Sequence, residues 1–157
     1  ISQQLSGKAA ATIFGRFKKL FKNEQITPRK LIKIPDQTIR DAGISWSKIK
    51  YIKGIAEQIK NKKLNLKSLE NLSDEEIINE LVKLKGVGVW TAEMFLMFTL
   101  GRPDVFSAGD LGLQNAIVKL YKLKDKPSKE KLVKLSNKWS PHRTLASRIL
   151  WKSLELK

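Results

Sequence analysis

The sequence contains no cysteine. That excludes a disulfide scaffold, a cysteine-ligated zinc site and a cysteine-ligated iron–sulfur cluster, and it fits a reducing, intracellular setting. No apolar run approaches the roughly 18 residues that a membrane span needs. The first residues lack the charged-then-apolar pattern of a leader peptide. Methionine does not open the chain; it begins at Ile1, as a fragment or a processed product would. Histidine is nearly absent: His142 is the single one, and its place at a helix start suits a surface residue better than a general base. Acidic residues are also scarce, 15 Asp and Glu against 31 Lys and Arg, for a formal net charge of +16.

Such a charge attracts polyanions, nucleic acid first and an anionic membrane surface second. A surface-bound membrane protein would present one basic amphipathic face with exposed aromatics, whereas this chain carries several helices of buried type. A compositional origin of the lysines, in a biased genome or a hot habitat, is the competing explanation. With 157 residues, 41% of them hydrophobic, the chain suits one folding unit, either an ordinary domain or two small lobes sharing a core, and argues against disorder.

Periodicity predicts an all-α fold. From Gln3 to Lys22, Leu5, Ala9, Ile13, Phe17 and Leu20 recur on one helical face. Thr27-Pro28-Arg29 reads as a helix start, Pro35 as a break and Gly43 as a helix-terminating glycine. Ser45 caps a helix on which Trp46, Ile49, Ile52, Ala56 and Ile59 repeat; Trp46 is expected in the core, as is Trp139. Residues 61–65 form a loop. Ser73 and Glu76 make a capping box ahead of Ile77, Ile78, Leu81 and Leu84. Further helices are expected from Trp90 to Leu100, Asp110 to Tyr121, Ser128 to Lys138 and Pro141 to Leu154, with Ser140 as cap and Pro141 at the first helical position. No stretch alternates long enough to demand a strand. The loops at 23–27 and 101–109 are the candidate boundaries.

The sharpest local pattern is Leu81-Val82-Lys83-Leu84-Lys85-Gly86-Val87-Gly88-Val89-Trp90-Thr91-Ala92, a glycine turn between two helices. Glycines permit positive φ and put no side chain in the way of an approaching backbone. Amides around Gly86, Val87 and Gly88 at a helix start can donate to a phosphate oxygen, with Thr91 in the same segment. Such a contact positions a duplex without reading its sequence. The plain alternative is a helix–turn–helix corner with a glycine cap. Beyond the next helix lies Arg102-Pro103-Asp104-Val105-Phe106-Ser107-Ala108-Gly109-Asp110-Leu111-Gly112. Asp110 stands where a helix begins, which suits an N-cap, and Asp104 after Pro103 suits a residue that shapes the loop.

The string around Gly86 and Gly88 resembles the helix-hairpin-helix motif of the DNA glycosylase superfamily that also carries a Gly/Pro-rich loop and an Asp. The opening Ile1-Ser2-Gln3-Gln4-Leu5-Ser6 with Ala9-Ala10 resembles the 3-methyladenine DNA glycosylase II branch. So do Ala42-Gly43-Ile44-Ser45 with Lys48, Tyr51-Ile52 and Ala56, and Trp139-x-Pro141-x-Arg143-x-x-Ala146 through Leu150-Trp151. The resemblance spans nearly all of residues 1–157, with the hairpin motif at about 75–100 and the catalytic loop at about 101–112. It implies a bilobed helical domain with its active-site cleft between the lobes. Relatives carry more chain before the position of Ile1.

In that family an Asp matching Asp110 is catalytic. Breaking the base–sugar bond builds oxocarbenium-like charge, which a fixed anion stabilises, and the same carboxylate can orient or deprotonate the attacking water. Bifunctional relatives carry a lysine at the position of Trp90, so this chain is expected to be monofunctional. Trp90 and Trp151 match positions near the base pocket; an indole face attracts a cationic alkylated purine. Met94 and Leu111 fall where some relatives have aromatics, which implies a more aliphatic pocket. Gln4, or Leu5 if the alignment slips by one, matches the wedge that fills the gap left by a flipped base. Backbone carbonyls of Val82, Leu84 and Val87 match those that hold a monovalent cation, Na+ or K+, against a DNA phosphate; no other cofactor is expected.

The implied function is hydrolysis of the N-glycosidic bond of alkylated purines in duplex DNA, base excision repair that leaves an abasic site. The implied setting is a monomer acting with the chromosome and away from membranes. A glycosylase for deaminated or oxidised purines is one alternative. A non-catalytic helix-hairpin-helix DNA-binding module is another, and Asp110 discriminates, because binding alone needs no carboxylate after the hairpin.

Overall fold

The structure, a computed structural model, describes residues 7–21 and 25–156. Among these residues it is helical, without strands. The elements in order are α1 (Gly7–Lys19), α2 (Pro28–Lys33), α3 (Asp36–Asp41), α4 (Trp46–Lys60), α5 (Asp74–Leu81), α6 (Val89–Phe98), α7 (Leu111–Leu120), α8 (Lys129–Ser136) and α9 (Arg143–Ser153). A short 3-10 turn, Ser68–Asn71, buries Leu69 between α4 and α5 in the chain; no periodicity announced it.

Local chemistry sets most of these ends. The Thr27 side chain accepts from Lys30 N–H, with Pro28 at the start of α2. Ser45 accepts from Lys48 N–H and Ser128 from Lys131 N–H, each occupying a donor that the first helical turn leaves unpaired. Ser73 and Glu76 form both halves of the capping box. Gly43 follows α3 at φ +101, in the left-handed region that glycine enters without strain.

Two compact units emerge, Ile1–Asn71 with Leu84–Gly86, and Leu72–Lys83 with Val87–Lys157. The division falls at residue 71 and within the glycine turn, not at the loops 23–27 and 101–109. In the first unit Phe17, Phe21, Leu31, Ile39, Ile44, Ile49 and Ala56 form the core, with Ile13 and Leu20 at its edge. On α1 the buried alanine is Ala10, while Ala9 is exposed; Ile13, Phe17 and Leu20 keep the expected stripe. In the second unit Leu113, Ala116, Ile117, Leu132 and Leu150 pack together, flanked by Phe106, Leu135, Trp139 and Trp151. Trp139 meets Phe106 edge-on at 5.7 Å, in keeping with its expected core position.

Three expectations are corrected. Trp46 is not in the core: it is 53% exposed. It lies in the first turn of α4, lining a depression with Asp36, Tyr51 and Lys53 that leaves about half of it in water. The last helix starts at Arg143, not Pro141, with His142 at the cap. Ser140 does not cap it; its hydroxyl donates to Asp104 instead. Leu84, expected on α5, lies beyond the helix in the turn, although it is buried.

Candidate active site

Asp110 is the N-cap of α7, and its Oδ1 accepts from Leu113 N–H at 2.7 Å. Capping is therefore real, and it is not all that the carboxylate does. Trp151 Nε1, from α9, donates to the same oxygen at 2.9 Å. Trp90 Nε1, from the first turn of α6, donates to Oδ2 at 2.7 Å. Three donors from three helices thus converge on one carboxylate that is only 9% exposed. Oδ1 has both lone pairs engaged, while Oδ2 keeps capacity for a further donor. An indole N–H is a donor without acceptor capacity, so both rings hold Asp110 in its orientation.

Gly112 shows how closely this cluster is packed. A Cβ at that position would stand 3.1 Å from Asp110 Oδ1 and 3.1 Å from Trp151 Cδ1 and Nε1. The loop before Asp110 is fixed as firmly. Asp110 N–H donates to Ser107 C=O at 3.0 Å, and Gln114 Nε2 donates to Ala108 C=O at 3.0 Å. The Ser107 hydroxyl, fully buried, donates to Glu93 Oε2 from the middle of α6. Burial and then the Asp110 charge push the Glu93 carboxyl above its ordinary range, against the lowering effects of the Ser107 bond and Lys129.

Asp104 is engaged elsewhere. Its two oxygens receive Arg143 Nε at 2.7 Å and Arg143 Nη2 at 3.0 Å, with further bonds from Ser140 Oγ at 2.8 Å and Arg143 N–H at 3.2 Å. The fork-shaped Arg143 contact, with burial opposing and the remaining donors adding to it, holds this carboxyl down at about 2. Thr144 N–H donates to Pro103 C=O at 2.9 Å, and Thr144 Oγ1 to Arg102 C=O at 2.6 Å. The loop thus supplies the first turn of α9 with the partners that Ser140 does not.

Trp90, Met94 and Phe98 recur at intervals of four along α6, one face of a helix. Trp90 and Met94 are half-buried. Phe98 is 58% exposed and lies 5.9 Å from Trp151, tilted by 33°. Leu111 is exposed at the start of α7. Trp90, Trp151 and Asp110 are brought together by direct bonds. Two residues escaped the sequence reading. Phe98 could have been found from its spacing after Trp90, and Glu93 as the single charge in the α6 segment VWTAEMFLMF.

The turn between α5 and α6 carries Gly86 at φ +88. A Cβ there would stand 2.3 Å from Tyr51 Cδ2 and 2.4 Å from Cγ, so this glycine is required by the chain's own packing. Gly88 is the N-cap of α6 at φ −100, and a Cβ added to it would meet nothing within 4 Å. Val87 is half-buried. Gln4 and Leu5 lie outside the described residues. Those described contain no cluster of His, Cys, Asp or Glu side chains able to hold a metal ion.

The sequence profile of the HhH-GPD superfamily base excision DNA repair proteins matches residues 1–142. The chain belongs to this superfamily. Among its relatives in the family is the fission yeast (Schizosaccharomyces pombe) DNA-3-methyladenine glycosylase 1, 41% identical over 157 residues, covering 99% of this chain and 69% of that protein. The Bacillus subtilis protein YfjP, provisionally named a DNA-3-methyladenine glycosylase, is 36% identical over 161 residues, covering 99% of this chain. This chain spans 56% of the length of YfjP. A solved structure of the fission yeast 3-methyladenine DNA glycosylase in complex with abasic DNA superposes with a TM-score of 0.90 at 41% identity, covering 99% of this chain and 76% of that one. The helical fold expected from periodicity is thus that of the HhH-GPD superfamily.

Proposed function

We propose that this chain is a monofunctional DNA glycosylase that hydrolyses the N-glycosidic bond of alkylated purines, the 3-methyladenine class, in duplex DNA. The observation that carries this reading is Asp110, a nearly buried carboxylate held by two indole N–H groups and a helix N-terminus with acceptor capacity left on Oδ2. The relatives at 36% and 41% identity bear 3-methyladenine glycosylase names, which supports the substrate class.

In the proposed reaction the bond between base and deoxyribose breaks, and positive charge builds on the sugar. The fixed carboxylate stabilises that charge in the transition state. Oδ2 orients the attacking water and takes its proton, leaving an abasic site and a free base. Water is the only co-reactant. Trp90 stands where bifunctional relatives of the resembled branch place a lysine, so no amine attacks the sugar. The indoles, Met94, Leu111 and Phe98 supply the apolar and aromatic surface for an extruded base, and an aromatic face favours a cationic purine over a neutral one. The glycine turn at Gly86, Val87 and Gly88, with Thr91, takes the phosphate backbone. Val82 caps α5, its N–H donating to Ile78 C=O, while Leu84 and Val87 lie in the turn; the backbone carbonyls of all three are hard oxygen donors suited to Na+ or K+. Such an ion would add positive charge beside a phosphate. Gln4 or Leu5 fills the gap in the duplex. The protein acts as a monomer, with the chromosome.

The test is single-turnover release of 3-methyladenine from alkylated duplex DNA, with lesion-duplex binding measured alongside. Asp110→Asn keeps the size and the capping oxygen, removes the charge and turns an amide NH2 toward the Trp90 N–H. It is expected to fold, to bind, and to release base about 10²–10³-fold more slowly. Near-normal release by this variant would refute the catalytic assignment. Release of a deaminated or oxidised purine in place of 3-methyladenine would transfer the reading to that substrate class. Binding with no release of any lesion by the unaltered protein would leave a DNA-binding module.

A further inference from the structure

We propose that Glu93 is a positioning residue for Asp110, acting through the Ser107 hydroxyl to fix the loop whose main chain carries the catalytic carboxylate. The inference rests on the reading of Asp110 given above and adds a second carboxylate to that site.

Glu93 is the single charged residue on α6, half-buried in a helix whose other members are Val, Trp, Thr, Ala, Met, Phe and Leu. Placing a carboxylate there costs solvation unless it is hydrogen-bonded. Its partner is the hydroxyl of Ser107, a side chain with no exposure at all. The carbonyl of the same residue accepts Asp110 N–H at 3.0 Å. One residue therefore ties α6 by its side chain and Asp110 by its backbone. Trp90, one turn earlier on α6, bonds Asp110 Oδ2 directly. The helix thus grips the carboxylate at its side chain through Trp90 and at its backbone through Glu93 and Ser107. A catalytic group gains from being held within a fraction of an ångström of its working geometry, and supporting hydrogen bonds behind it provide that hold.

The charged groups that act on Glu93 are Asp110, at the start of α7, and Lys129, at the start of α8. Ser107 and Lys129 favour the ionised form of Glu93; burial and Asp110 oppose it, with burial the largest influence. Glu93 and Asp110 are therefore close enough to interact electrostatically, which gives the arrangement a signature that activity does not supply.

The test uses Glu93→Ala, Glu93→Gln and Ser107→Ala. Glutamine can still accept from Ser107; alanine cannot. Single-turnover base release by Glu93→Ala and Ser107→Ala should fall about tenfold or more for the lost hydrogen bond, with lesion-duplex affinity unchanged, and Glu93→Gln should recover most of the rate. Rates within twofold of the unaltered protein for both alanine variants would overturn the proposal, as would a glutamine variant no better than alanine. Carboxyl NMR titration of Glu93 provides the second readout. Its midpoint should lie above the ordinary glutamate range, drop in Asp110→Asn and rise in Ser107→Ala. Absence of either opposite shift would also overturn the proposal. Should the unaltered protein release no base, the functional reading fails by itself, and the two NMR shifts still decide the Glu93 arrangement.

Discussion

The two aspartates of the 101–112 loop show how neighbours divide the same chemistry into different roles. Asp104 receives four donors, three of them from Arg143, and is consumed in holding the loop to α9. Asp110 receives three and keeps room on one oxygen. The depressed Asp104 carboxyl has a consequence for stability. A group that ionises more readily when folded stabilises the fold at pH values above its unfolded pKa, and that contribution disappears as pH falls through the folded value. Asp104→Asn should therefore melt below the unaltered protein at neutral pH. The gap should begin to close below the ordinary value of 3.8 and be mostly gone near about 2. Thermal melts at a series of pH values check this; a gap constant from pH 7 down to 2 would show that the charge of Asp104 contributes nothing. The role of Asp104 in the loop was legible from Pro103 beside it. Its partner was not, because Arg143 is distant in sequence.

At the scale of elements, the starts of α2, α4, α5 and α8 were readable because Thr27, Ser45, Ser73 and Ser128 bond amides three positions onward. The start of α9 was not, because its capping groups come from the loop at 102–104. The glycine turn combines both situations. Gly86 needs positive φ and would drive a Cβ into the ring of Tyr51. Gly88 needs neither, so a side chain there tests the proposed phosphate contact without disturbing the chain's own packing. Gly86→Ala should thus destabilise the fold, by about 1–3 kcal/mol as overpacking commonly does. Gly88→Val should leave stability within about 1 kcal/mol, the usual scale of an N-cap change, yet weaken binding to every duplex sequence alike. Denaturant melts and binding to two unrelated duplexes separate the effects. If Gly88→Val bound duplex as well as the unaltered protein, the phosphate contact would have to lie elsewhere.

For the whole molecule, the excess of 31 basic over 15 acidic residues is a statement about partners and not about fold. No helix among the described residues is long and apolar enough to cross a membrane. If the charge serves DNA, neutralising phosphates releases counterions, and affinity must fall with salt at a slope of about −0.9 per phosphate in a logarithmic plot. Six to ten contacts would lower affinity for undamaged duplex by about 10³–10⁵ between about 50 and 200 mM salt. Titrations of one duplex across that range measure the slope. A flat response would mean that the lysines serve something other than the phosphate backbone.

The sequence by itself determined the helices, most of their caps and the glycine turn, because each depends on residues a few positions apart; the candidate carboxylate came from the resemblance to a known family. Helical repeat also placed Phe17, Ile49 and Ala56 facing inward. It could not say that Trp46, in the first turn of α4, stays half exposed. Only the tertiary structure decided that Trp90 and Trp151 present their N–H groups to one Asp110, that Asp104 belongs to Arg143, and that Glu93 reaches Asp110 through Ser107. Those contacts join residues 14 to 41 positions apart. Their partners are chosen by how helices pack, a choice that depends on the shape of the whole buried surface and leaves no mark at any one position.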